Sequence, residues 1–157
     1  MAAKVYVETT VVSYLMARRS RDLLVAAHQE ITWEWWETAL GRFELVASRL
    51  VVQEARAGDP EAAQDRLDLL SRLKLVNVRK PALDLAERLV ASGAVPGKAA
   101  ADALHIAIAA TSRVDYLVTW NCKHLANAAM RAKIEEVCVA AGYQPVIICT
   151  PEELLEE

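Results

Sequence analysis

Short runs of branched and aromatic apolar residues alternate along this chain with longer stretches in which apolar positions recur at helical spacing. Five of the short runs are predicted strands: KVYVE, FELVAS, KLVNV, YLVT and PVIICT. A helix-sized stretch separates each run from the next, as the crossover between two parallel strands requires. The pattern therefore predicts an α/β fold with a central parallel sheet of about five strands, covered by helices on both faces.

Residues that commonly start or interrupt helices indicate where the intervening helices begin and end. The first connection is predicted to be helical from about Val11 to Leu40, with a break at 18–22. Ser48 and Asp59 are candidate N-caps of the next two helices, and Pro60 suits a first helical position. Further helices are predicted over 81–93, 96–113 and 123–142.

Composition and charge favour one ordinary globular unit. We find no repeat or linker, and expect residues 1–157 to form a single domain. Apolar runs too short for a membrane span or a signal peptide predict a cytoplasmic protein with no membrane partner. A net charge of −3 means that any nucleic-acid binding depends on a local basic patch. The three cysteines lack a CxxC pair and are expected to be buried free thiols: Cys122, Cys138 and Cys149.

Polar residues that interrupt the apolar pattern suggest a site at one edge of the sheet. Glu8 directly follows the first predicted strand, and Trp120 and Asn121 follow the fourth. Ligands of open parallel sheets bind beyond the carboxyl ends of the strands, where the winding reverses. If the chain crosses back there, these two strand ends converge on one crevice.

Two further acids, Glu54 and Asp102, lie inside otherwise apolar helical patterns and share faces with residues expected to be buried. Several buried carboxylates together raise one another's pKa unless a cation neutralises them. Oxygen ligands suit a hard ion such as Mg²⁺ or Mn²⁺. Alternatively, each acid pairs separately with an arginine, for which the candidates are Arg49, Arg56 and Arg113.

Four segments in this order resemble the PIN-domain nucleases, and in particular the VapC-like toxins of type II toxin–antitoxin systems. They are VYVETTVVSYL, VVQEARAG, ADALHIAIAA and YLVTWNCKHL. The resemblance runs nearly from end to end and implies a PIN-like three-layer α/β/α sandwich. It also implies a divalent-metal-dependent endoribonuclease that hydrolyses RNA phosphodiester bonds, with a homodimeric state and a small antitoxin protein as a possible partner.

Carried across position by position, the resemblance implies Glu8, Glu54, Asp102 and Asn121 as the catalytic residues, the three acids holding Mg²⁺ or Mn²⁺. Thr9 or Thr10 is expected to orient Glu8 by hydrogen bonding. The family usually has Asp at positions 8 and 121. Glu8 keeps the charge on a longer stem, whereas Asn121 removes one negative charge, so that occupancy of a second metal position is put in question.

Several other side chains have both a structural and a functional interpretation. His105 and His124 are either hydrogen-bonded histidines at the edge of the site or proton carriers. In TWEWWETAL, Trp33 and Trp36 share a helical face and Trp35 lies roughly opposite, so at least one indole is expected to be exposed or in an interface. Five basic residues form either a phosphate-binding patch or a solvated charged surface: Arg18, Arg19, Arg21, Lys98 and Lys123.

Two alternatives to a toxin-type nuclease come from different functional classes. Glu8 and Asn121 are also compatible with a catalytically impaired PIN-like RNA- or protein-binding module. A phosphohydrolase of the haloacid dehalogenase type needs a nucleophilic Asp with a second Asp two residues later. The segment VETTV has neither, so this alternative has the least support.

Overall fold

The computed structural model describes residues 2–156 and contains one five-stranded parallel sheet. Its strands are β1 Lys4–Val7, β2 Glu44–Ser48, β3 Lys74–Val76, β4 Tyr116–Val118 and β5 Ile147–Cys149. The helices are α1 Thr9–Met16, α2 Leu23–Arg42, α3 Arg49–Ala55, α4 Pro60–Leu70, α5 Lys80–Ala91, α6 Ala100–Thr111 and α7 Ala128–Ala140. Two short 3-10 helices, Gly97–Ala99 and Pro151–Leu154, complete the described elements.

The strands are arranged in the order β3-β2-β1-β4-β5, so the winding reverses between β1 and β4. Both neighbours of β1 are parallel to it, with Tyr6 opposite Val46 on one side and Leu117 on the other. Helices α1 to α4 pack on one another, and α5 packs on α6 and α7, which gives a helical layer on each face of the sheet. The predicted convergence of the β1 and β4 ends is therefore confirmed.

Most helix boundaries follow the signals in the sequence. Residues 17–22 separate α1 from α2, and the side chain of Asp22 caps α2 by accepting from the Val25 N–H. Ser48 and Asp59 cap α3 and α4 as predicted. The last helix begins at Ala128 rather than near 123, because the segment before it folds back on the site.

The core lies on both faces of the sheet and includes the last three residues of the central strand β1. Val5, Tyr6 and Val7 are fully buried. In α6 the residues from Ile106 to Ala110 are all buried, because this helix is covered both by the sheet and by α5. Within the described residues, no helix has the length and apolar character needed to cross a bilayer.

The burial of the tryptophans and cysteines follows the expectations only in part. Trp35 is fully buried in the core of its own chain, while Trp33 and Trp36 are partly buried, so the indole surface of α2 that is open to an interface belongs to Trp33 and Trp36. Trp33 is fixed within the chain as well, since its indole N–H donates to the Leu15 carbonyl at 3.1 Å. Cys138 and Cys149 are buried as expected, but Cys122 is exposed because it lies in the turn that follows β4.

Candidate metal centre

Four parts of the chain supply polar side chains to the carboxyl edge of the sheet. Glu8 follows β1 and Thr119 follows β4, and the Glu8 N–H donates to the Val118 carbonyl at 3.1 Å. Glu54 lies near the end of α3, and Asp102 and His105 lie on α6. Hydrogen bonds connect all these segments.

Glu8 is 3% exposed, and one of its oxygens is held by two hydroxyl groups. The Oε1 atom accepts from Thr10 Oγ1 at 2.5 Å and from Thr119 Oγ1 at 2.6 Å. Hydrogen bonds of this kind offset the cost of burying a carboxylate. Among the described residues, none hydrogen-bonds to the second oxygen, which is left for another ligand.

Glu54 repeats this arrangement with different donors. Its Oε1 atom accepts from Thr9 Oγ1 at 2.5 Å and lies 2.7 Å from His105 Nε2. Burial alone raises the pKa of Glu54, but the hydrogen bond and charge of His105, with the Thr9 hydroxyl, outweigh it and hold the pKa below its ordinary value. Glu54 is therefore ionised at neutral pH. Of the two threonines expected to orient Glu8, Thr10 does so and Thr9 holds Glu54 instead.

Asp102 is held differently, by an amide. Its Oδ1 atom accepts from Asn121 Nδ2 at 3.2 Å. Burial raises the pKa of Asp102 above its ordinary value; His105, His124 and the Asn121 hydrogen bond offset part of this, while the charge of Glu54 adds to it. Protonation of this carboxyl is thus easier than for an exposed Asp.

The orientation of the Asn121 amide is fixed by its second partner. The His124 backbone N–H donates to Asn121 Oδ1 at 3.0 Å, and a backbone N–H requires an oxygen there. The amide nitrogen must therefore face Asp102. The backbone N–H of Asn121 also donates to Thr119 Oγ1 at 2.9 Å. Asn121 therefore connects Asp102 with the hydroxyl group that holds Glu8.

A buried polar chain lies behind Glu54. His105 is completely buried, and its Nδ1 atom is 2.7 Å from the hydroxyl oxygen of Tyr6. The same Tyr6 oxygen is 2.7 Å from Ser48 Oγ. Burial raises the pKa of Tyr6 well above its ordinary value, and the charges of Glu8 and Glu54 raise it further, so the Tyr6 hydroxyl keeps its proton.

The residues present fit a divalent ion. Glu8, Glu54 and His105 each place one possible ligand atom within 4.8 Å of the others. Asp102 lies outside this close group, although the charge of Glu54 raises its pKa and it is linked to Glu8 through Asn121 and Thr119. In the described part of the chain, no arginine forms an ion pair with these three acids, so the alternative of separate arginine partners is not what the geometry shows.

The sequence gives only weak signals for several of the groups that hold the acids. Thr119 is not among the predicted site residues. It could have been predicted, because it directly follows a strand that is expected to end at the same crevice as the first strand. Tyr6 and Ser48 are also missing from the prediction, because nothing local in the sequence connects a strand tyrosine with a helix cap 42 residues away. His105 is hydrogen-bonded at both ring nitrogens, as its structural interpretation requires, while its role as a proton carrier stays a hypothesis.

Comparison with known proteins supports the fold. No family model matches the chain, and no curated protein is significantly similar in sequence. A similar solved structure is the crystal structure of VapBC2 from Rickettsia felis bound to a DNA fragment from their promoter. The match has a TM-score of 0.61 and 18% identity, and covers 94% of this chain and 98% of that one. An identity this low is evidence for the fold alone, and the predicted PIN-like α/β/α sandwich is confirmed.

Proposed function

We propose that this chain is a divalent-metal-dependent endoribonuclease that hydrolyses RNA phosphodiester bonds, and that it is the toxin component of a toxin–antitoxin pair. The observation that carries the proposal is the way the acids are held. Glu8, Glu54 and Asp102 each have one oxygen fixed by side-chain donors, and the other oxygen has no such partner among residues 2–156. An oxygen without a partner on each acid suits the binding of an ion better than separate pairing of each acid with an arginine.

The three acids would hold Mg²⁺ or Mn²⁺ through their second oxygens. A bound ion supplies activation of water for attack on phosphorus and offsets the charge that develops on the phosphate oxygens. The hydroxyls of Thr9, Thr10 and Thr119 fix the carboxylates in advance, so less reorganisation is needed when an ion or a substrate binds. We include Asn121 in the catalytic set as the residue that orients Asp102.

The proposal extends to location and partners. We place the chain in the cytoplasm as a single domain over 1–157, with a homodimeric state and a small antitoxin protein as partner. Leu23 and Leu24, at the start of α2, are 88% and 66% exposed, which suits contact with another protein. The similar solved structure is likewise a chain from a VapBC2 complex.

A catalytically impaired PIN-like RNA- or protein-binding module is the second candidate. The observation in its favour is that an Asn121 amide, and not a fourth carboxylate, faces Asp102. Such a module keeps the fold and the RNA affinity but needs no ion, so dependence on a divalent ion separates the two functions.

The deciding experiment compares wild-type protein, Asp102→Asn and Asp84→Asn in RNA cleavage with Mg²⁺ or Mn²⁺. Loss of the Asp102 charge should reduce cleavage by about 100-fold or more, because even changes outside the ligand shell commonly cost about 10–100-fold. Asp84 is a matched control, since it lies on α5 in an exposed pair with Lys80.

The same proteins provide a measurement independent of catalysis. An ion at 100 times its Kd stabilises the native state by about 2.7 kcal/mol, which raises the Tm of a domain of this size by roughly 5–10 °C. Asp102→Asn should abolish most of this rise, and Asp84→Asn should keep it. Wild-type protein that neither cleaves RNA nor gains stability with either ion would contradict the proposal and favour the binding module.

A further inference from the structure

The completely buried His105 has a hydrogen-bond partner at each ring nitrogen. Its Nε2 atom lies 2.7 Å from Glu54 Oε1 and its Nδ1 atom 2.7 Å from the Tyr6 hydroxyl oxygen. By distance alone, His105 is as good a candidate metal ligand as Glu8 or Glu54. The chemistry of its partners separates these two roles.

An ionised carboxylate can only accept hydrogen bonds. The contact with Glu54 therefore requires the proton to be on Nε2 of His105, whether the ring is neutral or charged. A protonated nitrogen has no lone pair for a metal ion. The other nitrogen is no substitute, because Nδ1 faces the buried Tyr6 hydroxyl.

The rest of the chain follows when the ring is neutral. Nδ1 must then accept, so the Tyr6 hydroxyl donates to it. The Tyr6 oxygen in turn accepts from the Ser48 hydroxyl, and Ser48 Oγ accepts from the Val51 N–H at 3.4 Å. With a neutral ring, each group in this chain therefore donates a hydrogen bond to the next, from Ser48 through Tyr6 and His105 to Glu54.

We infer that His105 is a positioning residue, which presents Glu54 to the ion as a hydrogen-bond donor and is itself held by Tyr6 and Ser48; this rests on the proposed function. Thr9 and His105 together occupy one oxygen of Glu54 and direct the other outward. The chain also ties together the elements that carry the acids. Tyr6 lies on β1 two residues before Glu8, Ser48 caps the helix of Glu54, and His105 lies on the helix of Asp102.

The test is to replace His105 with Gln and with Leu, and to measure Mn²⁺ affinity by calorimetry. The Gln amide nitrogen reaches about as far as Nε2 and donates a hydrogen bond, but an amide nitrogen does not bind a metal ion. We expect His105→Gln to keep the affinity within about threefold and His105→Leu to lose about 10–100-fold. His28→Gln is the matched control, because His28 stacks on Trp120 and makes no contact with the acids.

A spectroscopic measurement identifies a ligand directly. Pulsed EPR of Mn²⁺ on protein with ¹⁵N-labelled histidine should show no nitrogen bonded to the ion. A bonded nitrogen that disappears in His105→Gln would overturn the inference, and so would equal losses of affinity in the Gln and Leu variants. If His105→Leu does not fold, Tyr6→Phe replaces it: removal of the hydroxyl should weaken Mn²⁺ binding by about 10-fold, and unchanged binding overturns the inference.

The outcomes for this inference and for the proposed function are separable. Wild-type protein that binds Mn²⁺ but cleaves no RNA contradicts the nuclease, while the role of His105 is decided by the affinities alone. Wild-type protein that cleaves RNA but shows a His105 nitrogen bonded to Mn²⁺ keeps the nuclease and overturns the positioning role. Protein that binds no divalent ion overturns both.

Discussion

At the residue scale, each of the three acids is held through one oxygen, and each by a different set of donors. Glu8 accepts from two hydroxyls, Glu54 from a hydroxyl and an imidazole, and Asp102 from an amide. At position 121 the PIN-domain nucleases that the sequence resembles usually have Asp, whereas this chain has an amide. It supplies a donor to Asp102, whose pKa is already raised by burial and by Glu54. A carboxylate in the same place would repel Asp102 unless an ion lay between them.

Asn121→Asp tests this account of Asn121. An Asp side chain can still accept from the His124 N–H, but its second oxygen would face Asp102 in place of the donor. We expect a lower Tm without divalent ions and a larger rise in Tm when Mg²⁺ or Mn²⁺ is added, measured by thermal unfolding. Asn77→Asp is the control, because it makes the same charge change at an exposed position. A Tm that is unaffected without ions would show that the Asn121 hydrogen bond contributes little.

Asp102→Asn should have the opposite effect on the ion-free protein. A carboxyl whose folded pKa is raised contributes stability below its unfolded pKa, and that contribution is lost as the pH rises through the folded pKa. At pH 7 the charged form is therefore a net cost to the fold. We expect Asp102→Asn to raise the ion-free Tm at pH 7 and to have little effect near pH 3, as followed by thermal unfolding across this range. A lower ion-free Tm of Asp102→Asn than of wild-type protein at pH 7 would contradict this prediction.

The sequence is informative about the acids and much less so about their donors. Glu54 and Asp102 could be predicted because a charge inside an apolar helical pattern is costly unless it is used. The Glu8–Thr119 hydrogen bond joins residues 111 positions apart, and no local pattern encodes such a pair. Its prediction needs the strand order, which places β1 beside β4.

At the element scale, the strands and helices are predictable because propensity, apolar spacing and caps agree. Ser48 and Asp59 act as caps in the structure as the sequence indicates. The start of α7 is not predictable from apolar spacing. The Asn121 carbonyl accepts from Leu125 and Ala126, which forms a compact turn, and the helix begins only after the Asn127 cap. The segment over 121–127 is thus shaped by the site and not by helix propensity.

The caps give a prediction that separates the scaffold from the site. Asp22 caps α2 and Asp59 caps α4, each through one side-chain hydrogen bond to a backbone N–H. Replacement of either by Ala should cost about 1 kcal/mol, a decrease in Tm of roughly 2–4 °C. Neither side chain contacts the acids, so we expect the ion-dependent rise in Tm to be unchanged in both variants. If Asp22→Ala reduces that rise and Asp59→Ala does not, then α2 is coupled to the site.

At the scale of the whole molecule, the orientation of α2 brings basic residues to the side of the acids. This helix ends at Arg42, just before β2 starts at the amino edge of the sheet. Near its other end, His28 stacks on Trp120 with ring centroids 4.0 Å apart, and Trp120 follows Thr119 of the site. Residues 18–21 precede α2 and therefore lie beyond the carboxyl edge. With a net charge of −3, any binding of RNA by this chain would depend on such a local patch.

Arg18 and Arg21 are the members of this patch to test, because both are exposed, whereas Arg19 already pairs with Glu30 at 2.8 Å. RNA binding can be measured on an Asp102→Asn background to avoid cleavage, as a function of salt concentration. Removal of one phosphate-binding charge should reduce the slope of log affinity against log salt by about 0.7 for a single strand. The double replacement of Arg18 and Arg21 by Gln should therefore reduce this slope by about 1.4.

The control is the same double replacement of Arg72 and Lys74, which are exposed residues at the opposite edge of the sheet. It should leave the slope unchanged. Equal reductions in both proteins would mean that RNA is attracted by charge over the whole surface and not by this patch.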